Sequence, residues 1–152
     1  MFVKPDKYPE AAIRDKAPRA IQYRSPMYNL LIGRFLHVYE HALMEKLDGP
    51  SQTPFLAKGY NNQERAQILM EKISMFKNPQ YICLDHSKFD SSISAELLKV
   101  EHLVYWKQFK NKWLRHLLKY QINNRGYTKS GIRYSIRGTR MSGDYNTGLG
   151  NS

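Results

Sequence analysis

One stretch limits the folds open to this chain: Tyr81 to Ser92, YICLDHSKFDSS. The apolar run Tyr81-Ile82-Cys83-Leu84 reads as a buried strand that delivers one carboxylate, Asp85, and a second, Asp90, follows five residues later. Five residues is an odd step along a strand and about 140° around a helix, so neither regular structure puts both acids on one side. If the two carboxylates act together, the strand must end near Asp85 and the chain must bend. Such a pair at the mouth of a buried strand would suit a divalent metal and a sugar hydroxyl. A strand with a solvated polar end, and Asp90 capping the next helix, accounts for the same residues without any chemistry.

At 152 residues the chain has room for one domain with a real core and hardly for two. An apolar fraction of 41% with 19 aromatic residues argues against disorder. No apolar run approaches the ~18 residues of a membrane span, and the first residues lack the apolar core of a secretory signal. The single cysteine, Cys83, can close no internal disulfide and builds no cysteine-based zinc site alone, so a reducing, intracellular setting is expected. The net charge of +11 is concentrated: Lys99 to Arg140 holds 11 basic side chains against one acidic, Glu101. Trp106, Phe109, Trp113, Tyr120, Tyr127 and Tyr134 are interleaved with them. That mixture suits a phosphate backbone with unstacked bases, although the rings could equally be core and the charge a merely soluble surface.

Along the chain, Pro5, Pro9 and Pro18 predict an extended basic leader, with Ala20 to Tyr23 as a short strand. Ser25-Pro26 starts a helix whose apolar face is Tyr28, Ile32, Phe35, Tyr39 and Leu43, and Asp48-Gly49-Pro50 stops it. A loop follows to Tyr60, then a helix capped by Asn61 or Asn62 with Ala66, Leu69, Ile73 and Phe76 buried. After the acidic turn Ser94 caps a helix in which Leu97, Val100 and Val104 share one face, while Trp106, Phe109, Trp113 and Leu117 define another. The phase shift implies two helices joined near Lys110 to Lys112, or one helix buried on both sides. Arg125 to Ile136 changes to period two around Lys129-Ser130-Gly131, a β-hairpin, and the tail from Gly138 reads as a loop entering a helix.

Three local patterns are weak by themselves. His37-Val38-Tyr39-Glu40-His41 matches a zinc-peptidase pattern but has no obvious third ligand, so solvated helix histidines explain it better. Gly138 to Gly143 has phosphate-loop glycine spacing, yet Asp144 stands where the lysine belongs, and Ser142 lacks the frame of a hydrolase elbow.

The order of stretches is more specific. RDKAPRAIQYRSPMYNLLIGRFL, YICLDHSKFDSSIS and GTRMSGDYNTGLGN resemble, in sequence, motif F, motif A and motif B of the RNA-dependent RNA polymerases of positive-strand RNA viruses, most closely those of tombusviruses and their relatives. The resemblance runs from about Lys4 to the end. It implies an α+β fold, a partial right-hand polymerase: residues 1–80 as a fingers segment with motif F and two helices, and residues 81–152 as the first half of a palm with motif A, a helical and hairpin insertion, and motif B. The resemblance also implies that the thumb lies outside these residues.

By the same resemblance, Asp85 is the catalytic aspartate that binds Mg²⁺ (or Mn²⁺), and Asp90 monitors the ribose of the incoming nucleotide. Ser142 and Gly143 form the loop that holds the template around the nascent pair. Thr147 and Asn151 lie beside the ribose, with Asn151 the expected partner of Asp90, and Lys16, Arg19 and Arg24 meet the triphosphate. The implied function is copying of viral RNA from nucleoside triphosphates by two-metal nucleotidyl transfer. Its implied partners are RNA template, nascent RNA, and the remainder of the polymerase with palm motif C and thumb. The expected setting is the host cytoplasm or membrane-associated viral replication complexes. Motif C, a Gly-Asp-Asp turn, does not occur among the 152 residues, so the resemblance implies a fragment that is inactive alone. A non-catalytic RNA-binding module built on residues 99–140 is the competing expectation.

Overall fold

The structure, a computed structural model, describes residues 1–12, 14–46 and 53–152. Two short strands, β1 (Phe2–Val3) and β2 (Ala20–Ile21), pair antiparallel ahead of α1 (Pro26–Lys46). Then come α2 (Asn62–Ser74), the single turn α3 (Phe89–Ser92), α4 (Ala95–Phe109), α5 (Lys112–Ile122), the hairpin β3 (Asn123–Tyr127) and β4 (Arg133–Arg137), and a last turn, α6 (Thr147–Gly150). Helices and small antiparallel sheets in one chain make the class α+β.

The core lies where α1, α4 and α5 meet. Ser25 Oγ accepts from Tyr28 N at 3.2 Å, and Pro26 occupies the first turn, where a missing N–H costs nothing. From there Ile32 and Leu36 are fully buried, with Tyr28, Phe35 and Tyr39 partly buried beside them, so the expected stripe packs inward. The expected Asp48-Gly49-Pro50 stop lies outside the described residues. Ser94 Oγ caps α4 through Leu97 N at 3.2 Å, and Asn111 Oδ1 caps α5 through Trp113 N and Leu114 N at 2.9 and 3.1 Å. Between them Lys110 turns left-handed (φ 47°), and its N–H reaches Trp106 O at 2.8 Å. The phase shift is therefore a helix break. It lets α4 bury Leu98, His102 and Tyr105 while α5 buries Leu114, Leu117 and Leu118. Edge-to-face rings, Phe35–Phe109 at 5.8 Å and Tyr39–Phe109 at 5.5 Å, close the outer rim.

The hairpin forms as its alternation predicts, with Gly126 opposite Tyr134 and Asn123 opposite Arg137. Gly131 (φ 86°) supplies the left-handed turn residue. Gly138 (φ 78°) then brings the chain against the start of α4, where an added Cβ would stand 2.8 Å from Ala95 N.

Four expectations fail, one of them on α4, where Leu97, Val100 and Val104 are exposed while Leu98, His102 and Tyr105 are buried. Tyr81 to Leu84 forms no strand: it is irregular and exposed, Leu84 by 85%. A strand exists only by pairing, and both sheets stop at two strands, neither containing these residues. The expected α2 face is not buried: Leu69 is exposed, α2 stops at Ser74 short of Phe76, itself exposed, and the helix meets residues 53–57 while burying none of its own side chains. It stands on local terms, an Asn61–Glu64 capping box. Likewise Trp113 is 53% exposed, since the break at Lys110 rotates it away from Phe109. Among the described residues no helix is long and apolar enough to cross a membrane.

Replacing Gly138 by Ala combines a left-handed backbone with a clash against backbone, so it should lower unfolding free energy by at least about 1–2 kcal/mol. Urea denaturation followed by far-UV circular dichroism measures it.

Candidate functional site

The tail from Gly138 onward folds back over the three-helix core and binds the segment before α1. Gly143 N donates to Gln22 O at 2.6 Å, Gln22 N donates to Ser142 Oγ at 3.0 Å, and Tyr23 and Gly143 form a parallel bridge. A Cβ on residue 143 would lie 2.7 Å from both Gln22 O and Tyr23 Cβ, so this crossing requires glycine. Next to it Arg24 forks onto the Asp144 carboxylate, and its Nη2 donates to Asn124 Oδ1 at 2.5 Å. Asn124 is wholly buried and hands its amide hydrogens to Gly138 O (2.8 Å) and Gln121 O (3.2 Å). Burial pushes the Asp144 carboxyl above the usual carboxylate range, and the guanidinium of Arg24 opposes that shift.

Beneath the tail runs a chain of buried polar contacts. Glu101 accepts from Arg140 Nη2 at 2.6 Å, Asn146 Nδ2 at 2.6 Å and the Tyr105 hydroxyl at 2.7 Å. Gln121 links onward, donating to Asn146 Oδ1 at 2.7 Å and facing His102 Nε2 at 3.0 Å. Burial holds His102 below its ordinary value, so the ring is neutral at pH 7 and Nε2–H donates to the amide oxygen.

This scaffold presents a cleft of about 420 Å³ whose lining includes Gln22, Asp90, Tyr134, Thr139, Arg140 and Ser142. Asp90 is fixed twice. Its carbonyl accepts from Arg140 N at 2.8 Å, and its Oδ1 accepts from Asn151 Nδ2 at 2.7 Å. Asp90, Ser142 and Asn151, which sequence placed in one site, thus converge. Thr147 sits behind them and donates its hydroxyl to Met141 O at 2.7 Å. The remaining expected residues lie elsewhere. Asp85 is exposed on the irregular stretch before α3. Arg19 is exposed and forks onto Asp6 at 2.6 and 2.7 Å, while Lys16 lies 5.4 Å from the Tyr8 ring. Arg24 is bound to Asp144 and mostly covered.

Sequence reasoning missed Gln22 and Asn124, and named Tyr134 only among the aromatic residues of the basic block. Gln22 and Asn124 are polar residues of no marked pattern, and the role of Tyr134 depends on Gly126 opposite, which leaves room for its ring to cross the hairpin. At the histidine pattern, His37 Nδ1 meets the Tyr145 hydroxyl at 2.6 Å and Glu40 pairs with Lys58, so two of the three residues are engaged within the fold. The described residues do not by themselves suit a divalent metal. Asp90 is taken by Asn151, Asp85 stands on the exposed stretch, and no group of three His, Cys, Asp or Glu side chains converges among them.

Residues 1–152 match the family model described as viral RNA dependent RNA polymerase. The chain is similar to curated proteins named RNA-directed RNA polymerase: 44% identical over 154 residues to that of cucumber necrosis virus, 42% over 153 to that of Pothos latent virus, and 39% over 153 to that of turnip crinkle virus. Each alignment takes in 99% of this chain but only 19%, 21% and 20% of the relative, so the chain spans about a fifth of their length. No solved structure gives a significant match.

The Arg24–Asp144 pair carries a direct test. Arg24→Ala leaves the buried Asp144 carboxyl without its guanidinium partner, which should cost about 3–5 kcal/mol. Arg24→Ala combined with Asp144→Ala should cost at least about 1 kcal/mol less than the sum of the single changes, as measured by urea unfolding of all four proteins.

Proposed function

The chain belongs to the viral RNA dependent RNA polymerase family, and from that premise we propose that it carries the nucleotide-selecting part of an enzyme that copies viral RNA from nucleoside triphosphates. The observation that carries the site assignment is the 2.7 Å bond between Asn151 and Asp90, residues 61 apart that meet at the edge of one cleft. A carboxylate held by an amide offers a fixed acceptor, with the amide's second hydrogen beside it. A ribose 2′ hydroxyl can satisfy both, and a deoxyribose leaves them unpaired.

Ser142 and Gly143, clamped to Gln22, form the floor against which template and nascent pair are held. In the chemistry of this family a 3′ hydroxyl attacks an α-phosphate, and negative charge builds on the triphosphate. Lys16 and Arg19 are exposed cations suited to offset that charge, and Arg19's pair with Asp6 is a solvent-exposed one that a triphosphate can displace. Arg24 plays a different part, since its charge is spent on Asp144 and it holds the loop in register. Asp85 is one carboxylate of the set that binds Mg²⁺ or Mn²⁺, and the described residues do not complete that set. Residues 1–80 correspond to a fingers segment and residues 81–152 to the first half of a palm.

In a full-length polymerase containing this segment, Asp85→Asn should lower template-directed nucleotide incorporation by at least about 100-fold while RNA binding persists. Unchanged synthesis in that variant would favour a module that only binds RNA. Asn151→Ala should reduce the preference for ribonucleotides over deoxyribonucleotides by at least about tenfold, read from competing incorporation kinetics.

A further inference from the structure

Much of the chain's positive charge lies away from the Asp90 cleft, on α5 and the hairpin. Along α5, Trp113, His116 and Tyr120 fall at i, i+3 and i+7 and form one exposed stripe. The Trp113 and His116 rings are stacked at 5.8 Å with 21° between planes, and His116 meets Tyr120 edge-on at 5.3 Å. Lys112, Arg115 and Lys119 stand one residue earlier in each case, about 100° around the helix, and are also exposed. The buried stripe of Leu114, Leu117, Leu118 and Gln121 is separate, so these rings are not core.

The stripe leads somewhere. Tyr120 lines a second cleft of about 450 Å³, together with Tyr23, Arg125, Tyr127 and Lys129. Tyr127 is 75% exposed. A large ring left in water on a well-formed strand is available for stacking. The hairpin that carries it is fixed by the bond from the Tyr134 hydroxyl to Gln22 Oε1. Gln22 and Tyr134 also line the Asp90 cleft, so the two clefts share that wall.

We propose that the α5 ring stripe and the hairpin cleft form one path for single-stranded RNA leading to the Asp90 cleft, with bases stacked on Trp113, Tyr120 and Tyr127 and phosphates held by Lys119, Arg125 and Lys129. Only unpaired bases expose faces to such rings, which selects single strands over duplex. The path rests on the polymerase reading solely for the identity of the ligand as RNA.

The test is fluorescence anisotropy of the 152-residue chain with a fluorescein-labelled oligouridylate, an abasic ribose-phosphate oligomer of equal length, and an RNA duplex. Trp113→Ala and Tyr120→Ala should each weaken oligouridylate binding by at least about fivefold and leave abasic binding nearly unchanged. Trp113→Phe should restore most of the loss. Lys119→Ala should weaken both single-stranded ligands and reduce the log–log salt slope by about 0.7. If a helix variant alters the circular dichroism spectrum, Tyr127→Ala on the exposed hairpin carries the same expectation. Ring variants that bind oligouridylate like the parent chain, or an abasic oligomer or duplex that binds as tightly as oligouridylate, would overturn the path. The polymerase reading is unaffected by either result, because it stands on loss of synthesis in Asp85→Asn.

Discussion

The fork from Arg24 to Asp144 is the constraint on which the rest of the site depends. It joins residues 120 apart in sequence, and its buried carboxylate is tolerable only because the guanidinium is there. With the pair in place, the Gln22 backbone lies against Ser142 and Gly143, Asn124 can satisfy the carbonyls of Gln121 and Gly138, and the tail lies flat over α4 and α5. Met141, Tyr145 and Leu149 anchor the tail to the core by apolar contact, but the crossing at Ser142 and Gly143 is held by polar bonds. The floor of the cleft is therefore set electrostatically, while the helices below it are set by hydrophobic burial.

How far the sequence was legible follows from which forces were local. Helix starts at Ser25, Asn61, Ser94 and Asn111 come from side chains within three residues of the groups they cap, and Ser25, Asn61 and Ser94 stand out in the sequence for that reason. The hairpin was legible because alternation and a glycine turn lie within twelve residues of each other. The failures at Tyr81 to Leu84 and along α2 are of one kind. Periodicity reports that a face is apolar and is silent about whether anything covers it. Leu84 and Phe76 carry strand and helix patterns with no partner among the described residues.

The site divides along the same line. Asp90 with Asn151 follows from the resemblance to motifs A and B, and the structure brings the two side chains into contact. Arg24 was expected at a triphosphate by the resemblance to motif F; in the structure its guanidinium forks onto Asp144, an acid far along the chain, and no window of sequence displays that pairing. Gln22, Asn124 and Asn146 were missed for a related reason: a buried amide is chosen by the carbonyls and carboxylates around it, and those neighbours are assembled only by the fold.

Asp85 and Asp90 then differ in more than position. Lys88, at the cap of α3, takes a left-handed conformation (φ 53°) and bends the chain between the two carboxylates. On the far side of the bend Asp90 is locked by a backbone bond to Arg140 and a side-chain bond to Asn151, on a base that reaches through Glu101 and Gln121 into the core. On the near side Asp85 sits on an exposed stretch, with no ion pair or side-chain hydrogen bond among the described residues. Preorganisation is what lets a polar group discriminate, since a group that must first be ordered spends interaction energy on ordering itself. By that criterion the Asp90 half of the candidate site is built by this chain's own packing. Around Asp85 the apolar run Tyr81 to Leu84 pairs with no strand among the described residues, so no comparable order is built there.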